Sequence, residues 1–202
     1  MKPRKVFCVG FQKTGTTSLG MALDKLGYDV TGYHPFRHLA RKEGLTWDEI
    51  ETLAMDLAGQ FDAAKDTPWP LFYRQLDEAF PNSRFIHVER DREAWIQSAV
   101  NDFSAFPNEI HRLIYGSLSP KGNEDAWLAK YDRHNAEVKD YFAERPDDFL
   151  SLDLSRSRAN WEKLCSFLGE PTPDGDWPHA NTRTKKKFKM KSRRILSKLG
   201  LR

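Results

Sequence analysis

One junction near the start of the 202-residue chain limits its fold more than any other stretch. Residues 4–10, RKVFCVG, read as a short buried strand that runs into a glycine. Residues 16–26 carry Leu19, Ala22, Leu23 and Leu26 at helical spacing and stop at Gly27. Between them lies Gly10-Phe-Gln-Lys-Thr-Gly15-Thr-Thr-Ser18, rich in glycine and hydroxyls. A strand that passes through a loop into a helix is the first half of a crossover to a parallel neighbour, so the chain is committed early to a sheet covered by helices.

The same rhythm continues. Residues 28–32 and 61–65 read as strands, 84–89 (RFIHVE) as the strongest strand of the chain, and 149–154 as the last. Helices are expected over 35–40, over 46–59 with Thr46 and Glu49 spaced as a capping box, and over 71–79. Further helices are expected after the cap Asp91, over 124–143, and around Trp161, Leu164, Cys165 and Leu168 up to Gly169. Strands alternating with helices predict a three-layer α/β fold with a mostly parallel sheet of about five strands. Residues 1–182 then form one domain, 171–177 a surface loop, and 183–202 a basic tail.

Charge separates that tail from the body. Ten of the 32 Lys and Arg lie from Arg183 onward with no acid among them, leaving 22 basic against 29 acidic residues before it. The positive field belongs to an appendage, which argues against a nucleic-acid binder. Because the tail interleaves cations with Phe188, Ile195, Leu196 and Leu199, it reads as disordered or as an amphipathic helix able to touch an anionic membrane. No apolar run approaches the ~18 residues of a membrane span, so the expected location is cytoplasmic, membrane-peripheral if the tail docks. Cys8 and Cys165 fall on apolar stripes and read as reduced core thiols, with no metal site expected.

The loop after the first strand occupies the place where such sheets bind anions, because the backbone N–H groups of the following helix point into it. Gly10 and Gly15 have the separation of the phosphate loop GxxxxGK[ST], which makes a P-loop-type fold the expectation. Position 16, however, is threonine, and the lysine stands three residues early at Lys13. A nucleoside triphosphate grip needs its lysine on the β- and γ-phosphates. A single phosphate needs amides, hydroxyls and one cation, which Lys13, Thr14, Gly15, Thr16, Thr17 and Ser18 supply.

GFQKTGTTSL resembles the 5′-phosphosulfate loop of sulfotransferases, which transfer a sulfuryl group from 3′-phosphoadenosine 5′-phosphosulfate (PAPS). The resemblance implies that Lys13 lies beside the bridging oxygen while the segment from Gln12 to Ser18 holds the 5′-phosphate, and that PAPS is the co-substrate with no metal. In this family an arginine at a strand end, followed eight residues later by a serine, binds the 3′-phosphate. RFIHVERDREAWIQS places Arg90 and Ser98 in that relation. The implied activity is sulfuryl transfer to a hydroxyl or amine of a small acceptor. The same fold also admits a P-loop small-molecule kinase, a nucleotide hydrolase, or a membrane-docked nucleotide-binding module.

Transfer to a hydroxyl calls for a general base at the carboxyl edge of the sheet. Two residues qualify. Lys65-Asp66-Thr67-Pro68 occupies a place comparable to the strand end that carries the family's catalytic histidine, which makes Asp66 the first candidate, although a carboxylate is a weak base unless burial raises its pKa. His34, in the loop after the second strand, is the other. Trp69, Phe72, Tyr73, Phe103, Phe106 and Tyr115 are either walls of an acceptor pocket or core.

Overall fold

The computed structural model describes residues 4–154 and 157–180. Five strands, β1 (Val6–Cys8), β2 (Val30–Thr31), β3 (Ala63–Ala64), β4 (Arg84–Val88) and β5 (Phe149–Leu152), form one sheet in the order β2-β3-β1-β4-β5. Every neighbouring pair is parallel. The helices are α1 (Thr16–Lys25), α2 (Trp47–Gln60), α3 (Tyr73–Ala79), α4 (Arg92–Phe103), α5 (Glu109–Tyr115), α6 (Glu124–Tyr141) and α7 (Ser157–Leu168), with 3-10 segments at His34–Arg41 and Trp69–Phe72.

Alternation along β1 builds the three layers. Val6 and Cys8 join one apolar cluster with Leu19, Ala22 and Leu23 of α1 and Leu164 and Cys165 of α7. Phe7, one residue out of phase, joins a larger cluster with side chains of α2 through α6. Because successive strand residues face opposite sides, a strand buried on both faces must be apolar throughout, as VFC is. Both cysteines are buried and free, and burial pushes the Cys8 thiol up to about 12. They are core residues, as their apolar settings predict.

Local signals set most boundaries. Thr46 accepts the Glu49 N–H while the Glu49 carboxylate accepts the Thr46 N–H at 3.1 Å, the expected capping box of α2. Asp91 caps α4 through the Ala94 N–H at 2.8 Å. Three departures stand out. β2, at the edge of the sheet, and β3, its interior neighbour, are two residues each, shorter than the expected runs. α5 is absent from the sequence expectation: seven residues are too few for a helical period, although Asn108 and the left-handed Gly116 mark its ends. The segment expected as a surface loop after α7 is anchored, since Trp177 is buried edge-on against Trp161 at 5.0 Å and the Lys25 ammonium binds the Asp174 carbonyl. The basic tail from Arg183 lies outside the described residues. Among the described residues no helix is long and apolar enough to cross a membrane.

Candidate functional site

The carboxyl edge of the sheet opens into a cleft of about 930 Å³. Its floor is the Gly10–Ser18 loop. Gly10 is needed where β1 leaves the sheet, because a Cβ there would lie 2.2 Å from the Val88 carbonyl oxygen of β4. Gly15 enters α1 at φ 115, and its added Cβ would meet Leu154 at 2.5 Å. Since glycine brings no capping side chain, the first N–H groups of α1 have no side-chain cap. Gly15, Thr16, Thr17 and Ser18 line the cleft, so those donors open into it.

Buried bonds hold the loop from beneath. The Gln12 amide donates to the Tyr115 hydroxyl at 2.7 Å, its carbonyl oxygen accepts from Thr67, and the Trp95 indole donates to the Gln12 backbone carbonyl at 2.8 Å. The Thr14 hydroxyl turns inward onto the Phe11 carbonyl at 2.7 Å, so of Thr14 only the backbone is left to face a ligand. His134, two helices away, lies 2.8 Å from the Val9 carbonyl through Nε2, and burial lowers its pKa to about 3. It is therefore neutral at pH 7, a fixed donor and not a titrating one.

Lys13 has a left-handed backbone (φ 69), as has Asp66 (φ 73), and Asn82 is the only other non-glycine residue in that region among those described. Two of three such positions thus lie at one cleft, where strain of this kind tends to be kept for function. The Lys13 ammonium pairs with Asp102 of α4, one helical turn beyond Ser98, and stands 5.9 Å from the centre of the Phe103 ring. That pair is half open to water on its Asp102 side, so it holds Lys13 by no more than about 1 kcal/mol.

Arg90, two residues past the end of β4, does not line the cleft but touches the loop from behind Lys13. Its guanidinium donates to the Lys13 carbonyl at 3.1 Å. Tyr131 fixes the arginine's backbone from α6 by accepting its N–H at 3.0 Å and donating to its carbonyl at 2.7 Å. Ser98 is partly exposed on α4 and does not line the cleft.

The base candidates separate. Asp66 lines the cleft, with one carboxylate oxygen accepting the Thr67 N–H at 2.9 Å and the other 3.8 Å from the Lys65 ammonium. His34 is exposed at the start of its 3-10 segment and is not part of the lining. His38, one turn on, does line it, with Nδ1 2.9 Å from the Pro35 carbonyl; that nitrogen therefore carries the proton and Nε2 is left free. His111 of α5 also lines the cleft, buried against Phe103 and Trp127, each 5.0 Å away between ring centres. Desolvation drops its pKa to about 4. Among the described residues no group of three or more His, Cys, Asp or Glu is placed to hold a metal ion.

The sequence profile of the sulfotransferase domain matches residues 5–122 and 100–186, which take in the whole sheet, the Gly10–Ser18 loop and the Arg90–Ser98 stretch. The chain belongs to the sulfotransferase domain family. A curated relative in this group of similar proteins, Ava biosynthesis cluster protein M of Aspergillus versicolor, is 28% identical over 220 residues, covering 88% of this chain and 81% of that protein. Among solved structures, a gluconokinase from Sinorhizobium meliloti 1021 is similar with a TM-score of 0.50 and 15% identity, covering 83% of this chain and 92% of that one. At that identity the likeness is one of fold.

For a sulfotransferase-family chain, the residues that sequence reasoning missed are instructive. His38, Arg37 and Arg41 line the cleft from one 3-10 segment, and Asn108 and His111 line it from α5 and its cap. HPFRHLAR does carry a visible cluster of cations, the one signal that pointed there. Tyr131 lies on an apolar helical stripe that gives no hint of its polar end.

Proposed function

We propose that this protein transfers a sulfuryl group from PAPS to a hydroxyl or amine of a small acceptor. The observation that supports the reading most is the 3.1 Å hydrogen bond from the Arg90 guanidinium to the Lys13 carbonyl, which sets beside the loop the cation that a 3′-phosphate would need. When bound, PAPS would supply a sulfuryl group on a good leaving phosphate, so that an acceptor oxygen attacks sulfur in line as the sulfur–phosphate bridge breaks.

The chain's own residues divide the remaining work. The uncapped N–H groups at the start of α1, with the hydroxyls of Thr16, Thr17 and Ser18, hold the 5′-phosphate. Lys13, released from Asp102, neutralises charge that develops on the bridging oxygen, a role in which fixed donors have their largest effect. Arg90, seated by Tyr131, holds the 3′-phosphate, and Ser98 assists from α4. Asp66 accepts the acceptor's proton, its second oxygen remaining free of the Thr67 N–H. The fit is supported by chemistry already in place: an anion-binding helix start without a side-chain cap, and two cations beside the loop.

Calorimetry tests the reading. Adenosine 3′,5′-bisphosphate is expected to bind at least about tenfold more tightly than ATP with magnesium, and Arg90→Ala to weaken the bisphosphate by roughly tenfold or more, the loss of one charge-assisted phosphate contact. A preference for the magnesium nucleotide would favour the kinase alternative and overturn this one.

A further inference from the structure

The wall of the cleft opposite the phosphate loop carries charge that neither the loop nor the sheet uses. Arg37 and Arg41 lie four residues apart on the 3-10 segment after β2 and line the cleft together with His38. Arg84 pairs with Asp148, Arg92 with Asp132, Arg112 with Glu109 and Arg145 with Asp77, while Arg74 lies over the Tyr141 ring and Arg90 on the Lys13 carbonyl. Arg37 and Arg41 have no carboxylate partner among the described residues, although acids outnumber bases in the chain before the tail. Two guanidiniums that line one cleft with no carboxylate between them suit an anionic ligand.

Position shows that this anion is not the one at Arg90. β2 is the edge strand and β4 lies beyond β3 and β1, three strand intervals or about 14 Å away. The facing wall is of another kind. Phe103, Phe106 and Pro107 line it, and Phe106 is 70% exposed, one of few large apolar side chains left open to water. A hydrogen bond of 2.9 Å from the Asn108 amide to the Tyr33 hydroxyl links the cap of α5 to the residue before the 3-10 segment, so the cations and the rings belong to one connected cleft.

We propose that Arg37 and Arg41 form a second anion subsite, and that the acceptor is an amphipathic acid whose apolar body lies on Phe103 and Phe106 while its anionic group meets the two guanidiniums. This deepens the sulfuryl-transfer reading and rests on it for the word acceptor; the subsite itself does not. His38 Nε2, free of protein partners in the described bonds, is placed on the same segment as a third polar contact.

The test uses two fluorescent dyes that differ by one charge, 8-anilinonaphthalene-1-sulfonate and the neutral N-phenyl-1-naphthylamine, titrated into the full chain with adenosine 3′,5′-bisphosphate present. The sulfonate is expected to bind at least about tenfold more tightly than the neutral dye, and Arg37→Gln/Arg41→Gln to bring the ratio to about one, whereas Arg37→Lys/Arg41→Lys retains part of it. Both arginines are exposed, so circular dichroism of the variants should match the parent. Equal binding of the two dyes, no binding of either, or a ratio that survives the double glutamine variant would each overturn the subsite. If the bisphosphate fails to bind the parent protein while the dye ratio still depends on the two arginines, the donor reading falls and the subsite stands.

Discussion

The two walls of the cleft are built on opposite principles. The phosphate loop is fixed by contacts that leave it no alternative: Gly10 abuts the β4 backbone, Thr14 bonds its own turn, and Gln12 is held by Tyr115, Thr67 and Trp95. The facing segment at His34–Arg41 is held mainly by Pro35, Phe36 and Leu39 beneath it, and its charged side chains stand in water. A rigid wall suits a part of the substrate that never changes, since preorganised donors cost nothing to arrange at the moment of reaction. A wall of long exposed side chains suits a variable part. On the proposed reading, the common donor belongs to the loop and specificity to the 3-10 segment.

The sharpest way to break that comparison is at its single mobile cation. Lys13→Ala should lower kcat by about 10² to 10³, the usual cost of removing one preorganised donor to developing charge, with the bisphosphate still bound. Initial rates of bisphosphate release from PAPS in the presence of an acceptor would measure it. An undiminished rate would remove Lys13 from the reaction.

The next effect concerns rigidity itself. Gly10→Ala drives a methyl into the Val88 carbonyl, so the loop or β4 must shift, at about 1–3 kcal/mol and a loss of several degrees in Tm. Substitutions at Arg41 on the opposite wall should stay within about 0.5 kcal/mol, the range for exposed sites. If thermal melts showed the two positions equally tolerant, the contrast between the walls would disappear.

The smallest effect concerns a buried side chain that lines the cleft from α5. His111 titrates near 4 when folded and near 6.5 when unfolded, so between these values the unfolded chain holds more protons. Its contribution is therefore complete above pH 6.5 and is lost as pH falls toward 4, at about 1 kcal/mol per pH unit. In urea melts at pH 7 and pH 5, His111→Gln should lose less stability on acidification than the parent. His134, depressed to about 3, and His87, also lowered by burial, keep a slope of the same sign in both proteins.

Much of this was legible in the chain. The Gly10–Ser18 loop, the RFIHVE strand and the alternation of periods two and 3.6 gave the sheet and both proposed anion-binding motifs, because each depends on residues close together in sequence. The base was harder. Asp66 and His34 both follow strands that end at the same edge, and sequence spacing cannot tell which way a loop residue faces; the 3-10 segment turns His34 out and His38 in. α5 went unread because a seven-residue helix has no period to display, and with it went His111 and the Asn108 link to Tyr33.

What the residues alone determined is local: where the backbone must be glycine, where a cation replaces a side chain three places on, which stretches alternate. Which distant groups meet was decided only when the strands stacked as β2-β3-β1-β4-β5, putting Arg90 on one side of the loop and Arg37 and Arg41 on the other. The order of strands is fixed by burial summed over the whole sheet, and no single stretch of the chain encodes that sum.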